Sequence, residues 1–512
     1  MRLGKPALIH SFSSFVSKIS GVIRDIFLAG FLGTGVLSDI FFIALKLPVS
    51  FRRSLSEETF NSAFIPLYGR FSDQSDTRLK HHFALKVLFF ALIIFIPFII
   101  ICEIFMPDIV KIFGSSIDTK GDFEILVTIS RIIFPYLIFI VISSVFIAIL
   151  NANSKFALGS GLPIILNIAI IVSIAMYPIL GETKITLLAW SVIIGGILQS
   201  IILFLAIDKA FWYAISDFSR NSVSLKKFFT LFWPTFLSAV LFQANMLIGV
   251  IVASYEAGAV TYLYYAERIY FLPLTLIAIA ISTILIPNLS FYIRNSKPQQ
   301  ALNFQLKAYE YCMITILPIA SLLFVLSDEI ISLFFQRGEF SFISVRSTAD
   351  ALKVFALGLP ALALVRILVP YFFAIEKPKI PLLLSIISVV LNIILTLLFF
   401  RYFGFLGIAL AVSCAAWFNV ILLFIAHYKS NFFTLNKELI RFSFKCLFLS
   451  LLLFFASNVI LLNTLAMDLS KISQLFIVLF PSFILFILFV YFFEPSLRRQ
   501  IKTTIEGFLK KT

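Results

Sequence analysis

Stretches of roughly 20 apolar residues follow one another along almost the whole of this chain. As a helix, each is long enough to cross about 30 Å of hydrocarbon. That recurrence restricts the fold class to an all-α polytopic membrane protein. Composition agrees: 61% of the 512 residues are hydrophobic, 62 are phenylalanine and mean hydropathy is +1.05, where a soluble domain runs near 45–50% apolar. The first run carries Arg24 and lacks a small-residue cleavage site, so it reads as a retained helix and not a signal peptide.

The pattern predicts about fourteen spans, near 7–32, 36–56, 83–106, 124–150, 158–180, 185–207, 226–253, 259–289, 306–327, 347–374, 380–400, 405–427, 442–463 and 473–494. Orientation follows from the 41 Lys and Arg residues. With the N-terminus inside, 26 fall in loops, tails or span ends on the cytoplasmic side, seven on the other (Lys111, Lys120, Lys184, Arg337, Arg346, Arg401, Lys471) and eight deeper within spans. Both termini are therefore expected in the cytoplasm, and an even number of spans is favoured.

A weak internal repeat runs at one offset. Gly33 and Pro48 match Gly258 and Pro273, each 225 residues later, and Leu166-Asn167-Ile168 returns as Leu391-Asn392-Ile393. The reading is a six-helix lobe over 1–215, a second over 222–430, two extra helices over 441–494 and a basic cytoplasmic tail over 495–512. Two lobes of even helix count enter the membrane alike, with the substrate path expected between them.

Against this apolar background the stretch Ser17 to Pro66 is anomalous. It keeps Lys18, Arg24, Asp25, Asp39, Lys46, Arg52 and Arg53, although a charge at the centre of a membrane helix costs about 3 kcal/mol on insertion scales. The expectation is a water-filled, positively lined cavity that receives an anion. Ser17 and Arg24, seven apart, share one face of the first helix. Asp39 and Lys46 are spaced likewise on the second, before Pro48. Side chains at i,i+1 do not face each other, so Asp25 is not expected to neutralise Arg24, which becomes the leading candidate. Arg268, ahead of Pro273, is its counterpart in the second lobe. Arginine suits the task because its planar fork meets phosphate oxygens in pairs and stays charged when buried. Lys353 and Arg366 are weaker candidates that packing near Asp350 or Glu376 explains as well. Asn167 and Asn392 read as helix–helix hydrogen-bonding groups.

Other function classes find little support. Cys102, Cys312, Cys414 and Cys446 are scattered without a CxxC pair, the four histidines give no ligand spacing, and no metal site is expected. The net charge of +15 sits in short loops and a few spans, with no soluble basic domain for nucleic acid. No GxSxG, Walker A or HExxH motif occurs, so the chain reads as a transporter without a catalytic site or cofactor. Its energy would come from Na+, H+, the membrane potential or the substrate gradient itself.

Residues 17–66, with Tyr264-Tyr265-Ala266-Glu267-Arg268, Thr283-Ile284-Leu285-Ile286-Pro287 and Leu333-Phe334-Phe335-Gln336-Arg337-Gly338-Glu339-Phe340, resemble the MurJ/MviN family of lipid II flippases, within the multidrug/oligosaccharidyl-lipid/polysaccharide exporter superfamily. The resemblance covers essentially the whole chain. It implies that lipid II, an undecaprenyl diphosphate bearing a disaccharide-pentapeptide, is moved from inner to outer leaflet of the bacterial cytoplasmic membrane for cell-wall synthesis, by alternating access. It also implies that Arg24, Arg52 and Arg268 line the cavity with Asp39 as its acid, and that the last two helices border a groove for the lipid tail. The family's serine–arginine pair in the first helix is Ser17-Lys18 here, which keeps the charge and loses the fork. Val49 and Phe271 depart from the family pattern, so roles held there do not carry over. The substrate-binding set expected is Arg24, Arg268, Arg52, Lys18, Asp39, Ser17 and Lys46. The expected partners are lipid II, membrane lipids and cell-wall synthesis proteins. A flippase for another polyprenyl-diphosphate glycan, of O-antigen type, also wants a basic cavity. A drug/cation antiporter of the same fold wants carboxylates and ranks last.

Overall fold

Backbone N–H and C=O groups in hydrocarbon have no water to bond, so a spanning segment must satisfy them within itself. The computed structural model describes residues 4–54, 57–72, 78–114, 117, 119–153, 155–208, 211, 225–430, 432, 437–465 and 470–493, and among these it is helical with no strand. The tail over 495–512 lies outside the described residues.

Ten helices precede residue 207: α1 (Gly4–Leu32), α2 (Val36–Ser54), α3 (Glu57–Ser72), α4 (Arg78–Ile104), α5 (Met106–Phe113), α6 (Lys120–Ile133), α7 (Tyr136–Ala152), α8 (Phe156–Gly161), α9 (Pro163–Leu180) and α10 (Lys184–Ala206). From residue 226 on come α11 (Lys226–Ala253) and α12 (Ala259–Pro273), whose terminal proline opens a π-helical turn, Leu274–Ile279, before α13 (Ala280–Arg294). Next are α14 (Pro298–Val325), α15 (Ser327–Phe335), α16 (Phe342–Ala374), α17 (Lys379–Phe403), α18 (Phe405–Lys429), α19 (Lys437–Leu465) and α20 (Lys471–Phe493).

A helix stands at each of the fourteen predicted positions, and eleven are long and apolar enough to cross a membrane among the described residues. α1, α2 and α11 are not among the eleven; the first two carry the charges that lower their hydropathy. The 124–150 span is broken at Phe134-Pro135 and the 158–180 span at Leu162. Three further helices, α3, α5 and α15, were not anticipated, because they are too short or too polar to read as spans. Phe60, Phe64 and Tyr68 nonetheless explain α3: at i, i+4 and i+8 they stack along one buried face that meets Phe83 of α4 and Phe228 of α11.

The described chain divides into two compact units. One runs to Thr261 and takes in Arg337–Ser341; the other runs from Tyr262 to Gln336 and resumes at Phe342. In the first, α1 packs on α8 and α9, α2 on α6 and α7, and α11 on α2 and α3. The segment Arg337–Ser341 lies against the end of α1 in the same unit. The Glu339 N–H donates to Gly30 O at 2.9 Å, and Lys184 Nζ donates to Glu339 Oε1 at 2.9 Å and to Phe31 O at 3.2 Å. Gly338 (φ +53°) permits this approach, since a Cβ there would sit 2.2 Å from Gly30 O.

In the second unit α16 is central, packing on α13, α14, α15 and α18. The two C-terminal helices join through α14, which touches α19, and α15, which touches α20. An apolar cluster of Val325, Leu326, Leu461, Leu475 and Val478 seals that junction. Beside it Glu329 is 4% exposed, and burial pushes its carboxyl above the usual value, with Lys471 and Lys353 pulling back.

Candidate cationic substrate site

In the first unit, α1 carries its charged residues on two faces. Lys18 is exposed, Ser17 is half-buried, and Arg24 and Asp25 are buried. Arg24 donates from Nε and Nη2 to Asp25 Oδ1 at 3.0 and 2.5 Å, and from Nη1 to Asn167 Oδ1 at 3.0 Å. Asn167, on α9, passes the network on: its Nδ2 donates to Ser20 Oγ at 2.9 Å, and that hydroxyl donates to Ser17 O at 2.8 Å. The sequence argument that Asp25 would not pair with Arg24 is therefore corrected. The i,i+1 rule concerns side chains projecting straight out. A long guanidinium kept from water folds back onto its neighbour, because an unpaired buried charge costs more than the bend. Asn167 joins two helices, as its type suggested, and in doing so takes part of the arginine fork.

Arg52, half-buried on α2, and Arg24 both lie within electrostatic reach of the Tyr136 hydroxyl. The Tyr136 hydroxyl donates to Gln199 Oε1 at 3.1 Å, and Gln199 Nε2 donates to Leu162 O at 2.9 Å. The structure thus brings Arg24 and Arg52 together around a tyrosine that is 0% exposed. Sequence reasoning missed Tyr136 and Gln199. Their only signal was a polar group inside an apolar run, a weak one where 16 tyrosines are present.

Asp39 departs from its expected place. Its carboxylate neither pairs with Lys46 nor faces outward: it is 2% exposed and bonded to the start of α12. Gly258 N donates to Oδ2 at 2.6 Å, and Thr261 N and Oγ1 donate to Oδ1 at 2.9 and 2.6 Å. The spacing argument placed Asp39 and Lys46 on one face correctly, but an aspartate near a helix N-terminus gains more from N–H donors than from a flexible amine. Lys46 itself is half-buried, with its carbonyl accepting from Ser50 Oγ.

In the second unit, Arg268 stands on α12 in a different condition. It is exposed, its Nη2 donates to Tyr264 Oη at 2.7 Å, and its Cζ lies 4.8 Å from that ring's centroid. Tyr264 is one turn earlier, so the pair is the i,i+4 neighbour set that a helix surface provides. Tyr265 beside it turns inward and meets Phe335 at 4.8 Å, which fixes the rotation of α12 within this unit. Lys353 leaves the candidate set: it bridges Asp328 at 2.8 Å and Asp350 at 3.0 Å. Arg366 is exposed on α16, and Asn392 is buried on α17. Among the described residues no group of three or more His, Cys, Asp or Glu could hold a metal ion.

A family model described as lipid II flippase MurJ matches residues 28–480. The "Probable lipid II flippase MurJ" of Rickettsia prowazekii (strain Madrid E) is 33% identical over 425 residues, which cover 83% of each chain. The protein of that name from Buchnera aphidicola subsp. Baizongia pistaciae is 29% identical, with 93% of this chain and 94% of the relative covered. A solved structure of lipid II flippase MurJ in an inward closed conformation matches with a TM-score of 0.78 and 27% identity, over 96% of this chain and 99% of that one. An inward-facing multidrug resistance MATE transporter of the MOP superfamily shares the fold at 14% identity and a TM-score of 0.67, over 83% of this chain and 98% of that one.

Proposed function

The chain belongs to the MurJ family of lipid II flippases, and on that premise we propose how its side chains carry the substrate. Arg268 is the primary ligand of the lipid II diphosphate. The observation that carries this is its exposure on a helix that begins a 36-residue apolar span, Ala259–Arg294. An arginine turned outward on such a helix is tolerable only beside water or an anion. Stacking on Tyr264 orients the planar fork, which suits bidentate binding of phosphate oxygens.

Arg24 and Arg52, with Tyr136 between them, form the second basic element. Their role is a fixed positive potential in the first unit, with Arg52 the more accessible of the two. Lys18, exposed and next to Ser17 on α1, steers the anion toward it. Cationic groups stand in for the hydration of roughly two negative charges while the polyprenyl tail stays in lipid. The cycle is alternating access, driven by Na+, H+ or the membrane potential, in the bacterial cytoplasmic membrane with both termini inside. Charge distribution supports that orientation: 26 Lys and Arg in loops, tails or span ends on the cytoplasmic side against seven on the other.

The test is the leaflet location of lipid II in cells that depend on this protein, read with an outside-acting enzyme that cleaves exposed lipid II. Depletion should make the precursor accumulate and become protected, and Arg268→Ala should do the same. Precursor that stays exposed in the Arg268→Ala strain would remove Arg268 from the binding role.

A further inference from the structure

Tyr136 opens α7 directly after the Phe134-Pro135 break and is fully buried in the first unit. Its ring fits there because α10 is bare opposite it: a Cβ at Gly196 would sit 2.6 Å from Tyr136 Cδ2. Small residues let membrane helices approach this closely. A buried hydroxyl needs a partner, and the partners of this one fix its polarity. Leu162 O, at the N-terminal end of α9, can only accept. Gln199 must therefore turn its amide nitrogen there and its amide oxygen toward Tyr136. That oxygen can only accept in turn, so the hydroxyl proton is committed to Gln199. What the phenol offers its other neighbours is lone pairs. They repel a phosphate oxygen, whereas they attract Arg24 and Arg52, both within electrostatic reach.

We infer that Tyr136 is a positioning residue for lipid II binding: polarised by Gln199, its hydroxyl oxygen holds the Arg52 guanidinium in place for the substrate diphosphate. The packing brings the groups together, since α2, which carries Arg52, lies against both α7 and α10. Arg24 depends less on the phenol, because Asp25 and Asn167 already take its fork. The chemistry of the partner matters as much as its place. Asp25 orients Arg24 and also cancels its charge. A neutral oxygen orients Arg52 and subtracts nothing from its charge, so the attraction for an anion survives. The inference rests on Arg52 belonging to the basic element that meets the diphosphate.

The experiment is equilibrium binding of lipid II to the full-length protein in lipid nanodiscs, with thermal unfolding of the same samples. Arg52→Ala should weaken binding about 10-fold, and Tyr136→Phe about 5-fold. Gln199→Leu should match Tyr136→Phe within about 2-fold, because it frees the hydroxyl proton to turn on Arg52. Tyr136→Phe and Gln199→Leu each strand a buried polar group and should melt below the wild type. Combining them removes both ends of one hydrogen bond, and Leu162 O keeps its bond from the Ile165 N–H at 3.2 Å. The double variant should therefore regain most of the lost stability while its binding stays about 5-fold weak. Binding that returns along with stability would overturn the positioning role, as would normal binding by Tyr136→Phe. In an Arg52→Ala background, Tyr136→Phe should add less than about 2-fold, and fully additive losses would overturn the role too. Unchanged binding by Arg52→Ala alone would instead remove Arg52 from the site, and the inference with it. Should a single variant fail to insert, the double variant with and without Arg52→Ala decides the matter.

Discussion

Arg24 and Arg268 are both arginines within apolar helices, and the structure treats them oppositely. Arg24 is 8% exposed and hydrogen-bonds Asp25 and Asn167. Arg268 is exposed and rests on the face and hydroxyl of Tyr264. The first is an element of the scaffold that also sets a potential; the second is a presented fork. The lesson is that an intramembrane charge marks a site only after its burial is known, because a buried arginine and an exposed one look alike in sequence.

The largest expected effect tests the presented member. Arg268→Ala should abolish growth on this flippase alone, with normal insertion and a melting temperature within about 2 °C, since substitution of an exposed side chain changes stability little. Arg268→Lys should retain part of the activity, because charge survives while the paired donor geometry does not. A fully active Arg268→Ala would leave the comparison without its functional half.

Arg24→Ala should fail for another reason. It strands the Asp25 carboxylate, 1% exposed, and removing one partner of a buried ion pair costs about 3–5 kcal/mol. Loss of folded protein in detergent, partly reversed by adding Asp25→Asn, is the expected outcome. Arg24→Ala that inserts and melts normally yet transports nothing would move Arg24 back among direct substrate ligands.

How much of this was legible beforehand depends on how far each partner lay along the chain. Helices, their approximate positions and the charged Ser17–Pro66 stretch follow from local patterning, which hydrocarbon enforces strongly. Gly33 and Gly258, matched at the 225-residue offset in the sequence, both take positive φ, +66° and +83°, just ahead of α2 and α12. What was hidden is long-range. Asp39 meets donors 219 and 222 residues away, so its nearest basic neighbour on the helix looked like its partner. Arg52 lies within electrostatic reach of Tyr136 on α7, and no spacing rule connects them. α3 escaped notice because its aromatic ladder is buried against protein, where apolarity need not run the length of a span.

A smaller effect sharpens the account of Arg24. Asn167→Ala should cost about 1–3 kcal/mol, the usual range for stranding a buried polar partner, because both Arg24 Nη1 and Ser20 Oγ lose a contact. Thermal unfolding in detergent measures it. A neutral Asn167→Ala would mean that Asp25 alone suffices to hold the guanidinium.

The smallest effect contrasts the buried pair with an exposed one. Lys184 and Glu339 meet at 2.9 Å with side chains 32% and 60% exposed, and exposed pairs contribute about 0.2–1 kcal/mol, less as salt rises. Glu339→Gln should therefore shift unfolding by less than about 1 kcal/mol at low salt and by almost nothing at high salt. The segment stays docked in that variant because the Glu339 N–H still donates to Gly30 O and Lys184 still donates to Phe31 O. Gly338→Ala, which drives a Cβ to 2.2 Å from Gly30 O at a left-handed φ, breaks the docking itself and should cost several-fold more than Glu339→Gln. Equal losses from the two variants would mean that charge, and not backbone fit, holds residues 337–341 against α1.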